Sequence, residues 1–195
     1  MDIKFEDNKV IFDKILSDLD KFVLETLEFM DFKYVIVSGY IPILFGRSRG
    51  TEDVDIIIEK MSYENFFGFY EKLTKSGYWF LNSENPKELF EMLEEGDSIR
   101  LAKRDIVIPN IELKFPKNKY DNYSLQNSRI VIIDSNQLRI SSLEIQIPYK
   151  FYLGSEKDIE DALYLYDLFS DKLDKSILLN FCKDFGIELK KYGLQ

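Results

Sequence analysis

The sequence predicts an α+β fold, with a mixed central sheet, flanking helices and a C-terminal helical part. Three observations point to it. Short β-branched runs recur through the chain, KYVIVS at 33–38, VDIII at 54–58 and RIVIID from 129, each bounded by polar or turn-forming residues. Segments with apolar residues at helical spacing alternate with them and concentrate at both ends. The stretch EKDIEDALYLYDLFS (156–170) has a strong helical period of its own. A chain of 195 residues suits one domain or two small lobes sharing a core. The division expected is a core over 1–142 and a C-terminal helical region over 143–195 packed on it, or a single domain.

The elements follow in order. Residues 9–30 read as an amphipathic helix, because Phe12, Ile15, Leu16, Leu19, Phe22, Val23 and Leu27 recur at helical spacing. Residues 33–38 read as a buried strand. Gly39 marks a tight turn into a short helix over 40–46, with Pro42 in its first turn and Gly46 as its stop. After a polar turn, 54–58 is a second strand. Ser62 caps a helix over 62–75, 78–81 is a strand, and Pro86 opens a short helix that ends near Gly96. SIRLAK, DIVI and IELKF read as strands of one antiparallel run, and RIVIID with QLRIS as a hairpin. The chain turns helical from Pro148, with further helices over 156–170 and 172–185. The stripe of Tyr164, Tyr166 and Phe169 with Leu163, Leu165 and Leu168 reads as core or a dimer face.

Composition excludes several chemistries. There is no histidine, so Ser-His-Asp and Cys-His triads and His-ligated zinc are out. The single Cys182 rules out an intrachain disulfide framework and reads as a small buried hydrophobe. Catalysis must run on carboxylates, Lys, Tyr, Ser or a metal held by oxygen. The charged N-terminus lacks a signal peptide's apolar run, and no stretch approaches the ~18 apolar residues of a membrane span. The expectation is a cytoplasmic protein with no membrane partner. Net charge is −9, which gives no general pull on nucleic acid. Residues 99–157 run the other way, with ten Lys/Arg against six Asp/Glu. That excess is either a local basic face or scattered solvated side chains.

The stretch that carries chemistry is VSGYIPILFGRSRGTEDVDIII, residues 37–58. A strand ends in two small residues, Ser38 and Gly39, and a helix follows. Small residues let the backbone approach a phosphate, and a helix N-terminus offers unpaired N–H groups. Asp53 and Asp55, at i and i+2 of the next strand, share one face. Two carboxylates so close repel unless a cation or proton lies between them, and oxygen-only ligands suit Mg²⁺ or Mn²⁺. A phosphate cradle beside a carboxylate pair is what metal-assisted phosphoryl or nucleotidyl transfer needs. Alone, Ser-Gly is usually a turn and Asp-x-Asp usually a solvated strand end; the pairing is what is specific. Glu112, flanked by Ile111 and Leu113, is the candidate third carboxylate, with Asp105 in a polar turn as the weaker competitor. Glu112 also reads simply as an outward-facing strand residue.

Residues 37–58 resemble the signature of the nucleotidyltransferase superfamily, the polymerase-β-like fold. Within it, the likeness is to the AbiEii-type nucleotidyltransferases, a group that includes toxin components of toxin–antitoxin systems. Gly46, Arg49, Thr51, Asp53 and Asp55 stand where that group has a Gly, a basic turn, a Thr and the Asp-x-Asp strand. Lys150 matches its Lys near the start of a late helix, and Lys157-Asp158-Ile159-Glu160-Asp161 its basic-Asp pair leading an Asp-containing helix. Three features depart from the pattern. The small pair is Ser-Gly, bulky Tyr40 follows and stands to narrow the phosphate site, and the third acid is Glu.

The resemblance implies these roles. Ser38 and Gly39 cradle the β/γ-phosphates, with Arg49 and Thr51 in the nucleotide site. Asp53, Asp55 and Glu112 bind one or two Mg²⁺ or Mn²⁺ ions. Lys150 neutralises phosphate charge and Asp158 orients it; otherwise Lys150 and Asp158 form a surface ion pair. The implied activity moves an NMP group from an NTP to a hydroxyl on an RNA end, a protein or a small molecule. The alternative is a binding module that keeps the fold without the chemistry and acts through a protein partner.

Overall fold

The computed structural model describes residues 3–6 and 8–194. Nine strands form one mixed sheet in the order β1-β2-β8-β9-β3-β4-β7-β6-β5. At its centre β3 (Tyr34–Ile36) pairs antiparallel with β4 (Asp53–Ile58), and β4 pairs parallel with β7 (Asn110–Lys114). The hairpin of β8 (Arg129–Ile133) and β9 (Asn136–Ile140) lies on one side, and β6 (Ile99–Lys103) with β5 (Tyr78–Phe80) on the other. One contiguous apolar core runs from Val10 and Phe45 through Ile58 and Leu101 to Ile147, Leu165 and Leu178. The sheet and the C-terminal helices therefore share their burial. Cys182 belongs to this core. No helix among the described residues is long and apolar enough to cross a membrane.

The first expected helix is shorter and begins later. Lys9–Phe12 is strand β2, preceded by β1 (Lys4–Glu6) and paired parallel with β8 from Lys9↔Ile130 to Phe12↔Ile133. Val10 and Phe12 are buried while Lys9 is exposed, a period of two that the longer helical count absorbed. Helix α1 covers only Asp18–Leu27, because Ser17 and Asp20 form a reciprocal capping box that fixes its start. Ile15, in the connection, is almost wholly exposed.

Three further expectations are corrected. DIVI (105–108) is a loop, since β6 and β7 pair directly from Ile99↔Leu113 and leave no place for a strand between them. Helix α5 (Lys119–Gln126) was not foreseen; Asn118 caps it by accepting from the backbone N–H groups of Tyr120 and Asp121. Helix α6 (Leu143–Leu153) begins before Pro148 and carries that proline inside. Its polar residues Glu144, Gln146 and Lys150 are buried along with its apolar ones, so it has no amphipathic period to read. The remaining elements lie where their signals placed them: α2 (Tyr40–Leu44), α3 (Tyr63–Lys75) capped by Ser62, α4 (Pro86–Glu95) ending at Gly96, α7 (Glu156–Phe169) and α8 (Lys175–Phe185).

Tyr40 turns into the core instead of narrowing the expected phosphate site. Its ring is fully buried, and its hydroxyl donates to Asp20 Oδ1 at 2.7 Å. Asp20 is itself buried. It accepts from Ser17 N (2.8 Å) and Ser17 Oγ (2.7 Å) and pairs with Lys14 Nζ at 2.9 Å. Burial raises its carboxyl pKa, but the bonds from Ser17, Lys14 and Tyr40 together hold it below the usual range. One carboxylate thus ties the α1 cap to α2, the helix behind Ser38-Gly39. Its lowered pKa gives stability that is present above the unfolded value and lost as pH falls through the folded one. Asp20→Ala strands four donors, Ser17 N, Ser17 Oγ, Lys14 Nζ and the Tyr40 hydroxyl, and should lower unfolding stability by about 3 kcal/mol in urea titration at pH 7. Its cost should shrink on acidification.

Candidate active site

Strand β4 sets the acidic edge. Val54 and Ile56 face the core, so alternation turns Asp53 and Asp55 together to the other face, both partly buried. The Thr51 hydroxyl donates to Asp53 Oδ1 at 3.2 Å. Parallel register places Glu112 beside Asp55 and Asn110 beside Asp53. Burial pushes the Asp55 carboxyl up, the charges of Asp53 and Glu112 add to this, and hydrogen bonding from Ser38 opposes it. Glu112 is meanwhile engaged from β6: Ser98 Oγ donates at 2.6 Å and Arg100 Nε lies at 3.4 Å. Among the described residues no three carboxylates are gathered as a ready metal cluster. Asp105, the weaker competitor, sits with positive φ in the exposed loop after β6.

The small-residue pair adjoins this edge. Ser38 has a φ of 63°, left-handed and unfavourable for a side-chain-bearing residue. Gln146 of α6 holds it there, its Oε1 accepting from Ser38 N at 3.3 Å and its Nε2 donating to Ser38 O at 3.2 Å. Gly39 leaves room for Arg49: a Cβ there would lie 2.6 Å from Arg49 Nη2, so the guanidinium would have to shift from its place on Asp161.

A cation cluster completes the site. Asp161 on α7 is fully buried, and Arg47, Arg49 and Lys150 all converge on it. Arg49 Nη1 is 2.6 Å away and Lys150 Nζ 2.7 Å; Arg47 also pairs with Glu160. Lys150 makes a second ion pair with Asp158 Oδ1 at 3.0 Å. It lies in the last turn of α6 rather than at a helix start, and at 1% exposure it is no surface pair. Burial lowers the Lys150 pKa, partly offset by Asp158. At Asp158, burial raises the pKa, but Ser155, Lys150 and Arg49 carry it below the usual range. Arg49 leaves its buried Nε without a partner.

The candidate residues thus cluster around the ends of β3 and β4 and the facing helices, except that Glu112 turns toward β6 and Asp105 lies in the exposed loop after it. Gln146, Arg47 and the hub role of Asp161 went unread. The i, i+3 spacing of Asp158 and Asp161, which puts both on one helix face, was the available signal.

No protein-family model matches the chain, and no curated protein matches its sequence. Among solved structures it is similar to an antigenic nucleotidyltransferase-like protein from Paracoccidioides brasiliensis. The TM-score is 0.51 at 18% identity, over 83% of this chain and 84% of that one. At that identity the likeness is one of fold: the chain has a nucleotidyltransferase-like fold.

Two outcomes follow from the electrostatics. The raised Asp55 pKa means its contribution is favourable at low pH and lost as pH rises through the folded value. Asp55→Asn should therefore raise the melting temperature of metal-free protein at pH 7, with the gain vanishing near pH 4. A lower melting temperature at pH 7 would contradict the like-charge reading. Asp161→Asn removes the one full charge shared by three cations. It should cost roughly 3–5 kcal/mol in denaturant titration, the scale of breaking a buried ion pair.

Proposed function

We propose that the chain is a metal-dependent nucleotidyltransferase that moves an NMP group from an NTP to a hydroxyl acceptor. The observation that carries this reading is one juxtaposition. The Asp53/Asp55 edge, the Ser38-Gly39 turn and the buried Arg49–Lys150 cations meet around β3, β4 and α6. A lone Asp-x-Asp or a lone basic pair would not support it.

The donor set fits a hard divalent cation. Asp53 and Asp55 offer carboxylate oxygens on one face, and burial and the neighbouring Asp53 charge already disfavour ionisation of Asp55 without a cation. These two would hold Mg²⁺ or Mn²⁺, with Glu112 joining once released from Ser98 and Arg100. When bound, the metal would neutralise phosphate charge and lower the pKa of an attacking hydroxyl. The chain's own residues do the rest. Gln146 keeps the Ser38 backbone in its turn, and Gly39 leaves room for Arg49 against the chain. Lys150 and Arg49 supply positive charge from a site with little water, where it acts more strongly. Asp158 and Asp161 orient them. Thr51 steadies Asp53.

The acceptor class stays open among an RNA end, a protein and a small molecule, and the AbiEii-type resemblance adds a toxin-like role in the cytoplasm. The engagement of Glu112 by Ser98 and Arg100 favours a second reading. In it, the fold is kept as a binding module that acts through a protein partner.

Incubation with each labelled NTP, Mg²⁺ and cell lysate decides between them. The enzyme should label a defined acceptor, and Asp53→Asn should abolish labelling without unfolding the protein. Normal transfer by Asp53→Asn would overturn the metal-site assignment. No Mg-NTP binding by wild type would leave the binding module. Lys150→Ala, assayed well below its melting temperature, should weaken NTP binding by about 1–3 kcal/mol. Lys150→Arg should not restore it fully, since a planar fork replaces a compact charge in a closed pocket.

A further inference from the structure

A cleft of about 160 Å³ opens beside the acidic edge. Ser38 and Asp55 form part of its floor, so it is continuous with the site described above. Helices α5 and α6 wall it, and its lining is mixed, with Val37, Ile57 and Ile145 among the apolar side chains. Tyr149 lines it from α6 and is 39% exposed. The Tyr149 ring is backed by others: it stacks with Tyr152 at 6.1 Å between centroids and packs on Phe185 at 5.6 Å. Phe185 in turn packs against Tyr152 at 5.5 Å and Tyr120 at 4.6 Å. A ring braced in this way loses little freedom when a flat partner lands on it.

Besides Asp55, whose charge Lys114 partly offsets, two charged groups face the cleft from different elements, Lys114 on β7 and Asp121 on α5. Lys114 forms no ion pair among the described residues, and Asp121 accepts from the Lys117 backbone N–H through Oδ2. Away from Asp55, the slot thus offers an aromatic platform, apolar sides, one cationic donor in Lys114 and one anionic acceptor in Asp121. That matches a flat heterocycle whose edge carries both an acceptor and an N–H.

We propose that this cleft takes the nucleobase of the NTP, stacked on Tyr149, with Lys114 and Asp121 reading its polar edge. The proposal rests on the nucleotidyltransferase reading, because it is the triphosphate at Ser38-Gly39, Arg49 and Lys150 that brings the base to the slot. The two ends of the site divide the labour: the cation cluster holds phosphate and is blind to the base, while the Tyr149 end of the cleft, away from Ser38 and Asp55, meets the base. A hydroxyl acceptor in the same slot is the competing occupant, and the test separates the two.

The measurement is equilibrium binding of a non-hydrolysable NTP and of inorganic tripolyphosphate, both with Mg²⁺, to full-length wild type, Tyr149→Ala and Tyr149→Phe. Tyr149→Ala should weaken NTP binding roughly tenfold, the scale of one base–aromatic stack, and leave tripolyphosphate binding unchanged. Tyr149→Phe should keep NTP affinity near wild type, since the ring remains. Unchanged NTP binding by Tyr149→Ala would overturn the proposal and leave the cleft to the acceptor. Equal loss for NTP and tripolyphosphate would overturn it too, as a distortion of the phosphate site. Wild type that binds neither ligand removes the nucleotide reading itself, whereas wild type that binds both leaves that reading standing whatever Tyr149 does.

Discussion

The buried carboxylate of Asp161 is the constraint on which the site depends. Three cations meet there: Arg47 and Arg49 from the turn after α2, and Lys150 from the last turn of α6. An isolated carboxylate would not stay ionised at such a depth, and three such cations would repel one another without it. The cluster therefore fastens three chain segments through one group. It also explains why α6 and α7, which pack closely on each other, belong to the site as much as to the core. Asp158 adds a second anion to Lys150 from the first turn of α7, where Ser155 caps the helix.

A buried ion network of this kind is a weak source of net stability, since desolvation consumes most of the Coulomb gain. Its value lies in placement. Arg49 is held so close to Gly39 that a methyl group would collide with it, and Ser38 is held in a left-handed conformation by a side-chain amide from α6. Both are local costs borne at the end of β3. The compensation comes from packing behind them: Tyr40, Ile41, Leu44 and Phe45 are fully buried, and Tyr40 is anchored to Asp20. Strain at the turn is thus supported by a core that begins at the next residue.

Much of this was legible in the sequence wherever a local rule and the tertiary context agreed. Ser62, Pro86 and Gly96 placed helix ends because capping is decided by neighbours in sequence. VDIII was readable as a strand and its two aspartates as a pair, because alternation is a property of the strand alone. The failures share a different cause. Lys9–Phe12 is too short to show its period, and it is a strand through pairing with β1 on one side and with β8, more than a hundred residues away, on the other. DIVI has strand composition but no free partner. Helix α6 buries Glu144, Gln146 and Lys150 and exposes Tyr149, Tyr152 and Leu153, so its polar residues do not mark an outward face that would have revealed it. At the site, residue types were visible and partners were not. Lys150 was found by its motif, yet its burial depends on α6 and α7 closing over it.

The carboxylate edge and the cation cluster are held to different standards of completeness. Arg47, Arg49 and Lys150 already have their counter-charges, so the cationic half is built before any ligand arrives. The acidic half is unfinished: Asp55 carries repulsion from Asp53 and Glu112 that Ser38 and Lys114 offset only in part, while Glu112 spends its oxygens on Ser98 and Arg100. Pre-organised cations lower the cost of receiving phosphate, because the protein does not reorganise when charge appears. An acidic edge under repulsion does the opposite for the apo state and raises the gain when a cation comes. The Arg100 pair at Glu112 is half-exposed and long at 3.4 Å, so it is the contact that a divalent ion at Asp55 would outcompete most cheaply. Ser98, at 2.6 Å, is the stronger hold on Glu112. The choice between catalyst and binding module therefore turns physically on whether metal at Asp53 and Asp55 can draw Glu112 from a single serine hydroxyl.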